Sequence, residues 1–367
     1  MKRRFGPVAL GVVALGAAAV AAGQPARLNN ARVEQRSASA GGGLEKAVRE
    51  TERRGSPLWI GYAVPALDGR RHMCCYSSMR HLDTGCVGRC RLEQEDRESS
   101  FVSLDRLRDC MPRDGGSEMY VLMRAASGAL ERIRAFSADC ELDAGGLPFV
   151  WITGVDPAES IALLERFATE PDMQKKKWKR SGEPALSVIA AHGHPSADAA
   201  LERFTAPPHS EELRKQAAFW LGNSRGRRGY EILRRLTREE KDDDVRSHLT
   251  FALSQSDVPE ALPTLIGMAK SDPSAEVRGQ ALFWLAQKAG EKAAAAIDDA
   301  LEDDPDTEVK RKAVFALTQL PRDEGIPHLI RVAREHRNPE VRKQAIFWLG
   351  QSKDPRAFEF IRQVLEN

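Results

Sequence analysis

The chain has 367 residues, 42% of them hydrophobic and 29% charged, with 55 basic side chains against 53 acidic ones. That length accommodates two folded units, each with a sizeable core, and the composition excludes a globally disordered or polytopic membrane protein. The near balance of charge excludes the strongly basic character on which nucleic-acid binding rests.

Met1-Lys2-Arg3-Arg4 precedes an uncharged run rich in Ala, Val, Leu and Gly from Phe5 to Gly23, with small-residue cleavage options at Ala19-Val20-Ala21 and Ala21-Ala22-Gly23. This is the pattern of a secretory signal peptide over residues 1–23, and it predicts a periplasmic or secreted protein. The run approaches spanning length but is weakly apolar, which favours cleavage over anchoring, so no stable membrane span is expected afterwards. Loss of Lys2, Arg3 and Arg4 leaves 52 bases against 53 acids, and no nucleic-acid partner is expected.

Residues 24–43 are small and polar and end in Gly41-Gly42-Gly43, the composition of a flexible tether. Leu44 to Arg54 reads as a helix and Leu58 to Val64 as an apolar strand. Met119–Met123 and Leu130–Phe136 flank Ser127-Gly128 as a hairpin, and Leu147–Ile152 follows as a further strand. All six cysteines, Cys74, Cys75, Cys86, Cys90, Cys110 and Cys140, fall within this region. An even set confined to one part of an exported chain reads as a disulfide framework whose pairing the sequence leaves open. Cys86-x-x-x-Cys90 with His72 and His81 close by is the competing metal reading. It lacks a second cysteine pair at zinc-ribbon distance, so no metal or cofactor is predicted. Residues 44–154 are therefore expected to form a small disulfide-stapled α+β domain.

From residue 155 the pattern is helical only. Asp156 is an N-cap, Pro157 suits the first helical position, and Glu159 can close a capping box. A period of 32 residues then dominates: Phe219, Phe251, Phe283, Phe315 and Phe347; Leu221, Leu253, Leu285, Leu317 and Leu349; and, in the second helix, Leu233, Leu265, Ile297, Leu329 and Ile361. Basic residues keep the same step at Arg214, Arg246, Arg278, Lys310 and Arg342. The order reaches back faintly to Ile189 and Leu201. In the last copy, Val341, Ala345, Trp348 and Leu349 share one helical face, and Phe358, Ile361 and Leu365 share a face of the next helix. Neither helix can bury its stripe alone, so the copies must stack into an α-solenoid over 155–367.

Asp272-Pro273-Ser274-Ala275-Glu276-Val277-Arg278-Gly279-Gln280-Ala281-Leu282-Phe283-Trp284-Leu285 and Asn338-Pro339-Glu340-Val341-Arg342-Lys343-Gln344-Ala345-Ile346-Phe347-Trp348-Leu349-Gly350 resemble the first helix of short HEAT-like repeats, the class also found in phycobilisome lyases. The resemblance implies a mainly α protein, a right-handed α-solenoid of helical hairpins behind the small α+β domain, acting as a binding scaffold for a protein partner. It also implies that the ladder bases pair with acids of the adjoining repeat, while Glu212, Asp244, Glu276, Glu308 and Glu340 suit helix N-termini. Deoxyhypusine hydroxylase is a HEAT-repeat enzyme with His-Glu iron ligands, but none of the eight histidines here precedes Glu. Gly-x-Ser-x-Gly, His-Glu-x-x-His and P-loop motifs are missing too, so no catalytic residue is assigned. The alternative is an enzyme with its site in the N-terminal domain.

The phenylalanine column projects away from the buried stripe, at a position that is commonly polar in such repeats, and is expected either to pack between repeats or to offer a partner surface. Lys175, Lys176, Lys177 and Trp178 form a basic stretch expected in a solvated loop, with contact to an acidic partner as its functional reading. His192-Gly193-His194 reads as plain surface. The last helix carries Phe358 and Phe360 with no polar capping repeat after it, which points to self-association or partner docking there.

Overall fold

The computed structural model describes residues 27–68, 73–74, 90–94, 117–169, 175–320 and 324–366. The segment expected to be a leader, Cys75, Cys86, Cys110, His72 and His81 lie outside them. The N-terminal strands are β1 (Leu28–Asn29), β2 (Arg32–Ser37), β3 (Leu58–Pro65), β4 (Cys90–Arg91), β5 (Glu118–Ala126), β6 (Ala129–Ser137), β7 (Leu142–Asp143) and β8 (Pro148–Thr153). Five of them form one sheet in the order β2-β8-β3-β5-β6, with β8 parallel to both its neighbours and the other pairs antiparallel. The hairpin turn is Ser127-Gly128, both at positive φ, as a two-residue loop of the primed type requires.

Alternation along β3 divides the core. Ile60, Tyr62 and Val64 join Val121, Met123, Ile133, Val150 and Ile152 in a layer continuous with the helices, whereas Trp59 lies with Leu122, Phe149 and Trp151 on the other face. Gly61 makes room for that second layer: a Cβ there would stand 2.8 Å from the Phe149 ring. The small sheet β1-β7-β4 contributes Cys90 and Leu142 to it. Cys74 and Cys140 are joined by a disulfide across 66 residues, with Cα atoms 5.5 Å apart. Cys90 is disulfide-bonded as well, so its sulfur is not a thiolate open to a metal.

The tether expected over 24–43 is, from Leu28 on, part of the fold. Arg32–Ser37 pairs residue for residue with Pro148–Thr153, and α1 (Ala38–Gly41) leads into α2 (Leu44–Glu52). Its polarity is that of an edge strand with most side chains in solvent. Glu159 also departs from expectation. Its carboxylate accepts from the Leu44 backbone N–H at 2.9 Å and so caps α2, while Asp156 alone caps its own helix, α3 (Pro157–Ala168), through the Ala158 N–H at 2.8 Å.

The remaining helices are α4 (Lys175–Arg180), α5 (Gly182–Ala191), α6 (Ser196–Phe204), α7 (Glu211–Ser224), α8 (Gly226–Glu239), α9 (Asp243–Ser254), α10 (Ala261–Ser271), α11 (Ala275–Ala289), α12 (Glu291–Asp303), α13 (Thr307–Leu317), α14 (Gly325–Glu335), α15 (Pro339–Gln351) and α16 (Pro355–Glu366). Successive pairs stack as the period predicts. Leu221, Leu253, Leu285, Leu317 and Leu349 are all buried, as are Leu233, Leu265, Ile297 and Leu329, each burial stabilising by about 1.5–3 kcal/mol. Sheet and array share one core. They are also tied by backbone bonds from Gly193 N–H to Pro65 O and from Leu67 N–H to Ala191 O.

Two expectations fail in detail. Lys175–Arg180 is a helix, not a loop. In α16 the buried residues are Ala357 and Phe360, whereas Phe358 and Leu365 are 72% and 81% exposed. Among the described residues α16 packs chiefly against α14 and α15.

Candidate functional site

The basic ladder holds the repeats in register. Arg246 Nε donates to Asp272 at 2.9 Å and Arg278 Nε to Asp304 at 2.7 Å, each spanning 26 residues into the loop that opens the next first helix. Arg214 makes the same connection to Glu240. The arginines also reach back, Arg246 Nη1 to Glu240 O and Arg278 Nη1 to Asp272 O. The pairing acids are thus Glu240, Asp272 and Asp304, not the Glu212/Asp244/Glu276 column at the helix starts. At the next step the acid's place is taken by His336, and Lys310 donates instead to Glu302 O. Arg342 donates to the His336 and Arg337 carbonyls. These bases are structural.

Along the array, successive first helices (α7, α9, α11, α13, α15) lie against one another, while successive second helices diverge. The first helices therefore line the concave side. They approach closely at Gly222, where a Cβ would stand 2.0 Å from the Ala252 carbonyl oxygen.

The phenylalanine column lies on this side. Phe219, Phe251, Phe283 and Phe315 are half-buried, and Phe347 is 53% exposed. The rings stack on one another and still reach the surface. Phe219 and Phe251 are nearly parallel with centroids 5.6 Å apart, and Phe283 and Phe315 likewise at 6.0 Å. Trp284 and Trp348 join the pairs through Phe251 and Phe315 at 4.6 and 5.2 Å. The result is one aromatic ribbon from Trp220 to Phe347, with ring faces turned toward neighbours inside it.

Four residues beyond each phenylalanine stands an amide: Asn223, Gln287 and Gln351 within their helices, and Gln255 and Gln319 just beyond the ends of theirs. Asn223, Gln287 and Gln351 are exposed and the other two half-buried. Gln287 Nε2 donates to Gln319 Oε1 at 2.9 Å across two repeats, so the column is laterally aligned. Three residues before each phenylalanine stand Gln216, His248, Gln280, Lys312 and Gln344. Lys312 is paired with Glu276 at 3.0 Å. Burial, aided by the nearby charge of Lys215, holds His248 below its ordinary value and thus neutral. The amide column went unread in the sequence, although it keeps the 32-residue step.

The strip runs into a cavity of about 1250 Å³ walled by Trp178, Glu183, His209, Gln216 and Trp220. Trp178 packs against Gly182, where a Cβ would lie 2.4 Å from the indole. His192 is buried, not surface. It lies in a chain with Ser160 Oγ at 2.9 Å from its Nε2 and Tyr62 Oη 3.0 Å from that hydroxyl, with Nδ1 2.7 Å from Val188 O. This satisfied network joins sheet to array, and burial pushes the Tyr62 hydroxyl well above its usual value. No helix among the described residues is long and apolar enough to cross a membrane.

Residues 185–286 and 293–367 match the family profile for HEAT repeats. No curated relative matches the chain. Among solved structures, the chain is similar to human deoxyhypusine hydroxylase in complex with glycerol, at 19% identity, covering 56% of this chain and 90% of that one with a TM-score of 0.29. It is similar also to the complex of CpcE and CpcF of phycocyanin lyase from Nostoc, at 21% identity, 54% and 77% coverage and a TM-score of 0.30. YibA of Escherichia coli matches at 22% identity, 53% and 70% coverage and a TM-score of 0.33. The C-terminal region of this chain is an array of HEAT repeats.

Proposed function

We propose that this chain is an exported scaffold that holds a protein partner along the concave strip of its HEAT repeats. The observation that carries the reading is the composition of that strip. In a chain with 29% charged residues, its ring and amide columns carry no charge, and the column beside them holds one lysine, already paired, and one neutral histidine. An aromatic surface running along five repeats, with Lys215, Arg311 and Lys343 one turn before the rings, suits desolvation by a polypeptide. The leader pattern and the Cys74–Cys140 disulfide support export, since disulfides persist in oxidising compartments. The partner carrying this role would be recovered from periplasmic extract by the native chain and lost with Gln287→Arg/Gln319→Arg, which places charge on the strip without touching the rings. Equal recovery at unchanged melting temperature refutes the concave reading.

The exposed Phe358 and Leu365 of α16 favour self-association at that end as an additional contact. Sedimentation should show a concentration-dependent dimer that Phe358→Lys abolishes; a monomer throughout the series removes it.

A further inference from the structure

The cavity at the end of the aromatic strip lies where the repeat omits a ring. Of the three first-helix tryptophans, two are covered by a phenylalanine of the first helix before them: Phe251 lies 4.6 Å from Trp284 and Phe315 lies 5.2 Å from Trp348, centroid to centroid. For Trp220 the preceding first helix is α5, which packs against α7 as the later first helices pack on their neighbours. One step of 32 residues back from Phe219 stands Ser187. Its side chain is too short to reach the indole, and its hydroxyl donates to Pro184 O at 2.8 Å. Half-buried Trp220 therefore meets Phe219 of its own helix at 5.0 Å and, among the described residues, no ring of α5. Ser187 and Trp220 both line the cavity of about 1250 Å³, so the seat that a phenylalanine fills elsewhere is open here.

The same register places an acid beside the open seat. The column one turn before the rings reads Glu183, Lys215, Ser247, Gly279, Arg311 and Lys343, and its first member alone is acidic. Glu183 is half-buried and lines the cavity, and among the described residues no cation or N–H donor pairs with its carboxylate. The first turn of a helix favours a negative charge there but supplies no counter-ion. Glu212 and Lys179, also in the wall, are exposed, and Lys215 is paired with Glu211 at 3.1 Å. Resting on the reading of the concave side as a partner surface, the geometry points to the guanidinium of an arginine of that partner as the occupant of this cavity. Its plane lies on the indole face of Trp220 that Ser187 leaves bare, and its N–H groups donate to the Glu183 carboxylate. Trp178, whose indole packs on Gly182, adds a second aromatic wall. A guanidinium is flat enough to take a ring's place, is attracted to the π-face of an indole, and presents donors in a fork that fits a carboxylate. An ammonium brings the charge without the plane. A phenyl ring brings the plane without the charge and leaves Glu183 unpaired.

Fluorine NMR of the full chain labelled with 5-fluorotryptophan tests this, the signals of Trp178 and Trp220 being identified from Trp178→Phe and Trp220→Phe. The probes are the acetylated amides of arginine, lysine, citrulline and phenylalanine; citrulline has the shape of arginine without its charge. The arginine amide should shift both signals saturably with a Kd on the order of 1 mM, at least about fivefold tighter than the other three. Glu183→Gln should weaken it about tenfold or more with the melting temperature little changed. Ser187→Phe, which restores the missing ring, should abolish the response and keep or raise the melting temperature; should that variant fail to fold, Glu183→Gln decides alone. An equal response to citrulline, preference for lysine or phenylalanine, indifference to either substitution in a folded chain, or no saturation at all overturns the proposal. If partner recovery still depends on Gln287 and Gln319, such a failure removes the guanidinium seat alone. If both fail, the concave surface itself is refuted.

Discussion

Arg278→Leu should destabilise the array far more than an exposed substitution does. The side chains of Arg278 and Asp304 are only 11% and 5% exposed, and two bonds of 2.7 and 3.0 Å join guanidinium to carboxylate. Removing the arginine strands a buried carboxylate, for which the usual cost is about 3–5 kcal/mol. Arg278→Leu/Asp304→Leu removes both charges, and what remains lost is the bond the Asp306 N–H donates to Asp304 Oδ1 at 2.8 Å and that from Arg278 Nη1 to Asp272 O at 2.9 Å, each about 1 kcal/mol. A double-mutant cycle should therefore report a coupling of several kcal/mol, because each single variant strands a buried charge and the double variant does not. Urea is the suitable denaturant because it leaves ion pairs unscreened, and Trp284, on the same helix, reports locally by fluorescence. Lys310→Met serves as the contrasting rung, since Lys310 Nζ meets the Glu302 carbonyl and no carboxylate in the next loop; its cost should stay below about 1 kcal/mol. Additive behaviour in the cycle, or an Arg278→Leu cost as small as that of Lys310→Met, would show that the ladder does not hold the repeats together.

Gly222 and Gly350 occupy the same repeat position, yet a Cβ at Gly222 meets the Ala252 carbonyl at 2.0 Å and one at Gly350 meets nothing within 4 Å. In chemical melts Gly222→Ala, at a buried position, should cost several times what an exposed alanine substitution does, and Gly350→Ala should gain about 0.5–1 kcal/mol from helix propensity; equal effects would contradict the close approach of the first helices. His248 has a folded value lowered by burial, so its contribution is complete above its ordinary 6.5 and is lost as pH falls from there through the folded value. Melting temperatures of the native chain and His248→Gln should converge in slope above that range and differ below it, the glutamine variant being less sensitive to acid. Reduction of the Cys74–Cys140 bridge, which closes 66 residues, should cost about 2–4 kcal/mol. The loss should appear in the near-ultraviolet signal of Trp59 and Trp151, with the helical signal of the array retained, and simultaneous loss of both signals would mean that the two regions unfold as one unit.

The array was legible because its columns sit where every copy faces the same neighbours. Leu221 and its four equivalents each fill the same gap between helices, so residue class repeats with the structure. The pairing acids were harder to see. Glu240, Asp272 and Asp304 lie in loops, where hydrophobic periodicity says nothing, and His336 breaks the acid series. Gln287 and its fellows kept the step too, but an exposed amide carries no burial signal and looks like ordinary surface. In the N-terminal region the hairpin was readable from Ser127-Gly128, whereas the parallel pairing of Arg32–Ser37 with Pro148–Thr153 joins segments more than 100 residues apart and depends on tertiary context. Glu159 illustrates the same limit: its spacing from Asp156 suits a capping box, but the N-terminus of α2 competes for its carboxylate and wins.

A photo-crosslinking residue placed in turn at Asn223, Gln287 and Gln351, and at Gly267 on the outer helices as control, addresses the concave strip in the producing cell. The account predicts one and the same protein attached at all three inner positions and at none outside. Attachment at Gly267 with silent inner positions would contradict it.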